Sequence, residues 1–249
     1  MSAPVVLITG AARRIGAEMA QTFHRKGFDV ALHYNRSAQE ADALAQTLNT
    51  ARENSSATFQ AELTDVSAVK AMAKAVLQWR NKLNVLINNA SSFYPTELAS
   101  ANEEQWDDLI GSNLKGPYFL CQSVAQQLSE SQGSIINIAD IYAKSPLKDY
   151  SIYCIAKAGN VMLTKSLAKE LAPEVRVNGI APGVILWPNT DDQMSETTKH
   201  NVIDSVPLGR TGSPADIAQL ALFLATQDSY TTGQIITVED SNNAWCGSG

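Results

Sequence analysis

The chain has 249 residues, 45% of them hydrophobic, and a net charge of −6 with histidines neutral. That length can bury a large core and need not be two domains, and the acidic balance with no basic run argues against nucleic acid and anionic membranes as partners. No apolar run approaches the roughly 20 residues of a membrane span, the N-terminus lacks signal-peptide regions, and Cys121, Cys154 and Cys246 have neither metal-ligand nor disulfide spacing, so a soluble, cytoplasmic protein is expected.

The first predicted strand, 5–9, is a continuous apolar run that leads into Thr9-Gly-Ala-Ala-Arg-Arg-Ile-Gly16 and a helical pattern over 15–26. Strand, glycine turn and helix N-terminus in that order form a setting that holds a dinucleotide pyrophosphate. Gly10 and Gly16 also suit a turn that only satisfies backbone geometry. Arg14 stands where such turns ordinarily carry glycine for close phosphate approach, and it brings a permanent cation and a planar fork of donors.

The second strand, 29–34, ends in His33-Tyr-Asn-Arg-Ser37. An NAD site would put a carboxylate here for the ribose 2′-OH, whereas this chain offers Arg36 with Asn35 and Ser37. A 2′-phosphate fits that set, which favours NADPH; the alternative is a solvated arginine beside a helix start. A helix over 37–53, a strand 57–61, a helix over 66–80 and a strand 85–88 follow. Then come a helix over 101–128, a strand 134–138, a helix over 151–172, a strand 176–179, a helix over 213–226 and a last strand 234–238. Most strands are apolar throughout, as in parallel sheets covered on both faces. The alternation predicts one α/β domain over residues 1–249, a Rossmann-type, doubly wound parallel sheet of seven strands with ligands at the strands' carboxyl ends. The unpatterned segment 186–214 reads as a lid or substrate loop.

Tyr153-Cys-Ile-Ala-Lys157 opens the helix after the fifth strand, so phenol and ammonium share a helix face. A neighbouring cation favours the phenolate, and the expectation is a lowered Tyr153 pKa that permits proton exchange near neutrality.

Together the turn, the Arg36 cluster and the Tyr153/Lys157 pair resemble the short-chain dehydrogenase/reductase family over essentially the whole chain. Asn88-Asn89-Ala90, Asn113, Asn178 and the Pro182-Gly183 step extend the resemblance. It implies that Asn89 and Ala90 line the adenosine side of the cofactor and that Lys157 also holds the nicotinamide ribose. Pro182, Gly183 and Val184 would face the nicotinamide, and Asn113 would belong to the proton relay. Three departures are informative. Asp140 stands where typical members have a serine thirteen residues before the tyrosine; Arg14 replaces a glycine; and Ser91-Ser-Phe-Tyr-Pro95 follows Asn-Asn-Ala. An ionised carboxylate cannot polarise a ketone as a hydroxyl does, but it can relay a proton to a ring nitrogen. Otherwise Asp140 is a strand-end cap, and Phe93 a core residue rather than a stacking platform.

These departures are similar to those of the pteridine reductase branch. The resemblance implies NADPH as cofactor, contacted by Gly10, Arg14, Ile15, Gly16, Tyr34, Asn35, Arg36, Ser37, Glu62, Leu63, Ala90 and Ser91 as well as the residues above. It implies a pterin held by Arg14, Ser91, Phe93, Asp140 and Tyr153, roofed by Leu186, Trp187 and Pro188, and a homotetramer. The ending Val238-Glu-Asp-Ser-Asn242 replaces the family's usual Val-Asp-Gly-Gly, which puts any tail contribution to a neighbouring subunit in question. Two other functions fit the same fold: a ketone or acyl-thioester reductase, which should carry Ser or Thr at position 140, and a non-catalytic NADPH-binding regulator, which would tolerate loss of Tyr153 or Lys157.

Overall fold

The computed structural model describes residues 2–183, 185, 208, 210–227 and 230–239. Seven strands lie in one parallel sheet in the order β3-β2-β1-β4-β5-β6-β7. They are β1 (Val5–Ile8), β2 (Asp29–Tyr34), β3 (Ser56–Gln60), β4 (Val85–Asn88), β5 (Ser134–Ile138), β6 (Arg176–Pro182) and β7 (Ile235–Val238). The described helices are α1 (Arg14–Arg25), α2 (Ala38–Ala51), α3 (Val66–Arg80), α4 (Glu103–Ile110), α5 (Gly116–Glu130), α6 (Ser151–Glu170) and α7 (Pro214–Thr226). The expected doubly wound sheet is therefore observed.

Each face of the sheet has its own core, and strand alternation assigns side chains to them. On β1, Val5 and Leu7 join the core under α3, α5 and α6, while Val6 and Ile8 join the core under α1, α2 and α7. Burial on both faces explains why these strands read as unbroken apolar runs. Strand order reverses between β1 and β4, and a crevice opens there at the carboxyl ends.

Two elements differ from expectation by more than two residues at an end or break within their span. The pattern 101–128 is three pieces: α4 is capped by an Asn102/Gln105 capping box, and a π-helical turn, Gly111–Lys115, separates it from α5. Gly111 and Gly116 let this turn press on Thr64 and Leu63, where a Cβ would lie 2.7 Å from Thr64 Cγ2 and 2.5 Å from the Leu63 carbonyl oxygen. β6 runs past the predicted 179 to Pro182, because Ile180, Ala181 and Pro182 continue the pairing with β7. Among the described residues no helix is long and apolar enough to cross a membrane, and no His/Cys/Asp/Glu group could hold a metal.

Candidate active site

The turn between β1 and α1 depends on close backbone approach. Gly10 has φ +62°, and a Cβ there would meet the Ala90 Cα at 3.0 Å. At Gly16 a Cβ would overlap the Gly10 carbonyl oxygen and sit 2.8 Å from Asn89 Nδ2. Asn89 ties the turn to β4: its Nδ2 donates to the carbonyls of Thr9 (2.8 Å) and Gly10 (3.2 Å). Thr9 Oγ1 in return accepts from the amides of Asn89 (2.9 Å) and Ala90 (3.0 Å). The Asn89 side chain thus braces the turn from behind, and Ala90 is the residue of this pair that lines the crevice. Helix α1 begins with no side-chain cap and no acid in its first turn. Its dipole and first-turn amides fit a pyrophosphate lying across the turn.

Arg14 is exposed and has φ +53°. Left-handed backbone is easiest for glycine. A glycine at this place therefore has a conformational reason in addition to close phosphate approach, and Arg14 adopts that backbone despite the cost.

The crevice has a volume of about 730 Å³ and is lined by the turn, by Tyr34, Asn35, Arg36 and Ser37 after β2, by Glu62 and Leu63 after β3, and by Ala90, Ser91 and Ser92 after β4. Glu62 faces Asn35, whose Nδ2 donates to it at 2.7 Å. Arg36 is exposed on the rim and forms no ion pair with another described residue. The neighbouring Arg13 instead pairs with Glu40 on α2.

Asp140 follows β5 and does two jobs. Its Oδ1 accepts from the Tyr142 amide at 2.9 Å and caps a short 3₁₀ turn, Ile141–Ala143. Its Oδ2 accepts from the Tyr153 hydroxyl at 2.6 Å. Capping is therefore real but not the whole role. Lys157 is buried one turn further along α6, where its Nζ donates to the Ile138 carbonyl at 3.0 Å and lies 5.6 Å from the Tyr153 ring centroid.

This arrangement corrects the expected lowering of the Tyr153 pKa. Burial pushes the phenol well above its ordinary value, and the adjacent Asp140 carboxylate pushes it further. Lys157, whose own pKa burial lowers to about 8, donates to the Ile138 carbonyl and not to the phenol. Asp140 is raised, chiefly by burial, against its hydrogen bonds to Tyr153 and Tyr142 and the Lys157 charge. The phenol is thus a protonated donor at neutral pH. A 2.6 Å pair of this kind shares one proton and titrates as a unit.

Asn113 lies in the π-helical turn, a feature often found at functional sites. Its Oδ1 accepts from Ser91 Oγ at 2.7 Å and its Nδ2 donates to the carbonyls of Ser92 and Leu109, each at 3.0 Å. A buried polar chain runs beneath it: Asn160 Nδ2 donates to the Asn113 carbonyl (3.3 Å), Asn137 Nδ2 to Thr164 Oγ1 (2.9 Å), and Asn88 Nδ2 to Asn137 Oδ1 (2.8 Å). Phe93 is 46% exposed, so it is not a core residue. One neighbour, Tyr150, stacks with it at 4.7 Å and 21°, and Tyr153 meets it edge-on at 4.8 Å.

Ile15 is half-buried behind the turn, against the core under α1. Pro182 ends β6, and Gly183 follows with its amide donating to the Val238 carbonyl at 3.0 Å. Asn178 lies inside β6 and braces β7 through Thr231 and Gln234. Val184, Leu186, Trp187, Pro188, most of 186–214 and the tail from Asp240 lie outside the described residues. Sequence reasoning missed Tyr150 as the ring behind Phe93, the Asn88–Asn137–Thr164 chain and His33, a buried histidine that contacts the turn. An asparagine inside the apolar run Ser134-Ile-Ile-Asn-Ile138 was the visible signal for the chain.

A nucleotide turn at a sheet's switch point, with Tyr153 and Lys157 on the helix beside it, defines the class. The chain belongs to the short-chain dehydrogenase/reductase family, whose members are nicotinamide-dependent oxidoreductases; a family profile described as enoyl-(acyl carrier protein) reductase matches residues 10–240. Among curated relatives, pteridine reductase 1 of Leishmania tarentolae is 36% identical over 96% of this chain and 96% of its own. A 3-oxoacyl-(acyl-carrier-protein) reductase of Staphylococcus aureus is 37% identical over 93% of this chain and 95% of its own. That of Chlamydia pneumoniae is 35% identical over 94% of each.

Proposed function

We propose that the protein is an NADPH-dependent pteridine reductase that reduces dihydropterins, with dihydrofolate and fully oxidised pterins as further candidates. The carrying observation is the 2.6 Å hydrogen bond from Tyr153 to Asp140, a proton-sharing pair where a carbonyl reductase would place a second hydroxyl. The similarity to thioester reductases is equally close in overall identity, so residue 140 and not percentage identity separates the two functions. The regulator reading has no support, since Tyr153 and Lys157 are both present.

NADPH would lie along the crevice, its pyrophosphate at the α1 N-terminus and its 2′-phosphate by Arg36, Asn35 and Ser37. When bound, its nicotinamide supplies the hydride for a pterin C=N carbon. The chain's own groups do the rest. Phe93, backed by Tyr150, presents a flat apolar surface to a flat heterocycle. Ser91 and Arg14 supply a hydroxyl and a cation at the same edge. Tyr153 delivers the proton that it shares with Asp140 to the adjoining nitrogen, and solvent water then returns a proton to the pair. The buried ammonium of Lys157 favours the phenolate left behind.

NADPH oxidation with a panel of dihydropterins and oxidised pterins, beside a β-keto thioester, tests the reading. Turnover of the pterins and not of the thioester is expected; the opposite preference would falsify it. Arg36→Ala should raise the KM for NADPH by about tenfold with little change for NADH. An equal change for both cofactors would remove Arg36 from 2′-phosphate recognition. Arg14→Gly should weaken pterin binding while thermal stability holds or improves slightly, because glycine relieves the left-handed backbone. Unchanged kinetic constants for pterin and cofactor would refute a binding role for Arg14. The rate should fall as pH rises through about 8, where Lys157 loses its proton; a level pH profile across that range would exclude its charge from the reaction.

The proposed assembly is a homotetramer. Helix α6 presents Ile155 (51% exposed) and Met162 (60% exposed) two turns apart on one face, which suits a subunit interface. Light scattering on the purified protein reads the assembly directly, and a monomer would contradict it.

A further inference from the structure

His33 is almost wholly buried, near the carboxyl end of β2 and directly behind the nucleotide turn. Its Nδ1 lies 3.0 Å from the Gly10 amide, which donates to it. Its Nε2 lies 3.1 Å from the Ala61 carbonyl oxygen. A carbonyl only accepts, so Nε2 carries the proton and Nδ1 the lone pair, which specifies the neutral ring and one tautomer. Burial favours that neutral state, against the smaller opposing effects of the Ala61 carbonyl and Glu62. The main chain of His33 grips the turn too, its carbonyl accepting from the Ala11 amide at 2.9 Å. Two successive amides of the turn are therefore drawn back toward β2, and it is between them and the rest of the turn that Gly10 takes its left-handed φ. Asn89 holds the opposite side through the Thr9 and Gly10 carbonyls.

We propose that His33 is a positioning residue for the nicotinamide cofactor: its Nδ1 acceptor holds the Gly10 amide inward and so aims the α1 N-terminus at the pyrophosphate. Without an acceptor there, the buried Gly10 N–H is left unpaired or rotates outward, and the turn loses the shape that Gly16 fits. His33 also borders the crevice, but this role acts through the Gly10 amide. The inference needs only the family's cofactor and stands or falls separately from the pterin reading.

Two substitutions dissect the ring. In His33→Asn the amide oxygen takes the place of Nδ1 and can still accept from Gly10. In His33→Gln the longer amide can reach the Ala61 carbonyl as Nε2 does but offers Gly10 nothing. Titration of the cofactor-free protein with NADPH and NADH gives Kd directly. The glutamine variant should bind both about tenfold or more weakly, with kcat at saturating cofactor within about twofold. The asparagine variant should bind within about threefold of the parent. Equal effects of the two variants on Kd would overturn the proposal, as would a loss confined to kcat. A third measurement does not depend on any variant folding: ¹⁵N shifts of His33 in the cofactor-free protein should report a protonated Nε2 and a bare Nδ1. The reverse tautomer, or a charged ring at neutral pH, would also overturn it.

Discussion

Asp140→Asn is expected to cut the kcat for pterin reduction by about 100-fold or more, with NADPH affinity nearly unchanged. Asparagine keeps the size of the side chain and the oxygen that accepts from the Tyr142 amide, so the 3₁₀ turn stays capped. It puts an NH2 donor at the Oδ2 position, so the Tyr153 hydroxyl loses its acceptor there. What it removes is the capacity to take up and return a proton at Oδ2, now 2.6 Å from the Tyr153 hydroxyl. A 100-fold loss corresponds to about 2.7 kcal/mol of transition-state stabilisation, the scale of one positioned acid or base. Asp140→Ala should be at least as slow and somewhat less stable, by about 1 kcal/mol, because the cap goes too. Steady-state kinetics with a dihydropterin and a separate NADPH titration read the two quantities independently. An asparagine variant of normal kcat would show that Oδ2 takes no part in proton transfer. A variant that fails to bind NADPH would show that the damage is to the crevice and not to proton transfer.

The layout of the sheet was legible because burial on both faces writes itself into composition. The runs over 29–34, 85–88 and 134–138 coincide with β2, β4 and β5, since nothing in them needs a polar side to face water. Ends were harder. Pro182 reads as a turn residue, yet its fixed φ suits an extended last residue, so β6 continues to it. The start of α4 is readable in principle from Asn102 and Gln105, the capping-box spacing, inside the helical pattern 101–128. The π-helical turn was not, because it is set by what Gly111 and Gly116 pack against, far away in sequence.

The site shows the same division. Spacing singles out Tyr153 and Lys157, the family resemblance adds Asp140, and the three do meet. Spacing alone, however, places phenol and ammonium on one face without saying where each hydrogen bond goes. The ammonium is spent on the Ile138 carbonyl and the phenol on Asp140, so burial governs the Tyr153 pKa in the opposite direction to that expected. For a reductase this is the useful direction, since the group must hold a proton at neutral pH before it can give one away. His33 was hidden for a different reason. In the run Val30-Ala-Leu-His-Tyr34 it looks like one more strand residue, and only the parallel pairing with β1 and β3 puts its ring between Gly10 and Ala61.

Gly16→Ala should abolish cofactor binding and destabilise the protein by about 3 kcal/mol or more. The added methyl would overlap the Gly10 carbonyl oxygen, with the Gly10 carbonyl carbon at 2.9 Å and Asn89 Nδ2 at 2.8 Å. None of these is the free end of a flexible side chain. The Gly10 carbonyl accepts from Asn89, and the Ala11 amide of the same peptide donates to the His33 carbonyl. Moving that peptide therefore breaks contacts to β4 and β2 together. Shifting α1 instead would disturb Met19, Ala20 and Phe23, which are fully buried against the core beneath it. Either relaxation turns the α1 N-terminus away from the pyrophosphate position. Denaturant unfolding and NADPH titration should thus fail together in this variant, whereas Arg14→Gly, two residues earlier, should leave unfolding intact. If Gly16→Ala keeps both stability and NADPH affinity, the close approach of the Gly10 carbonyl to α1 is not what shapes the turn. If stability falls while affinity survives, the turn is structural and the cofactor's phosphates are held elsewhere.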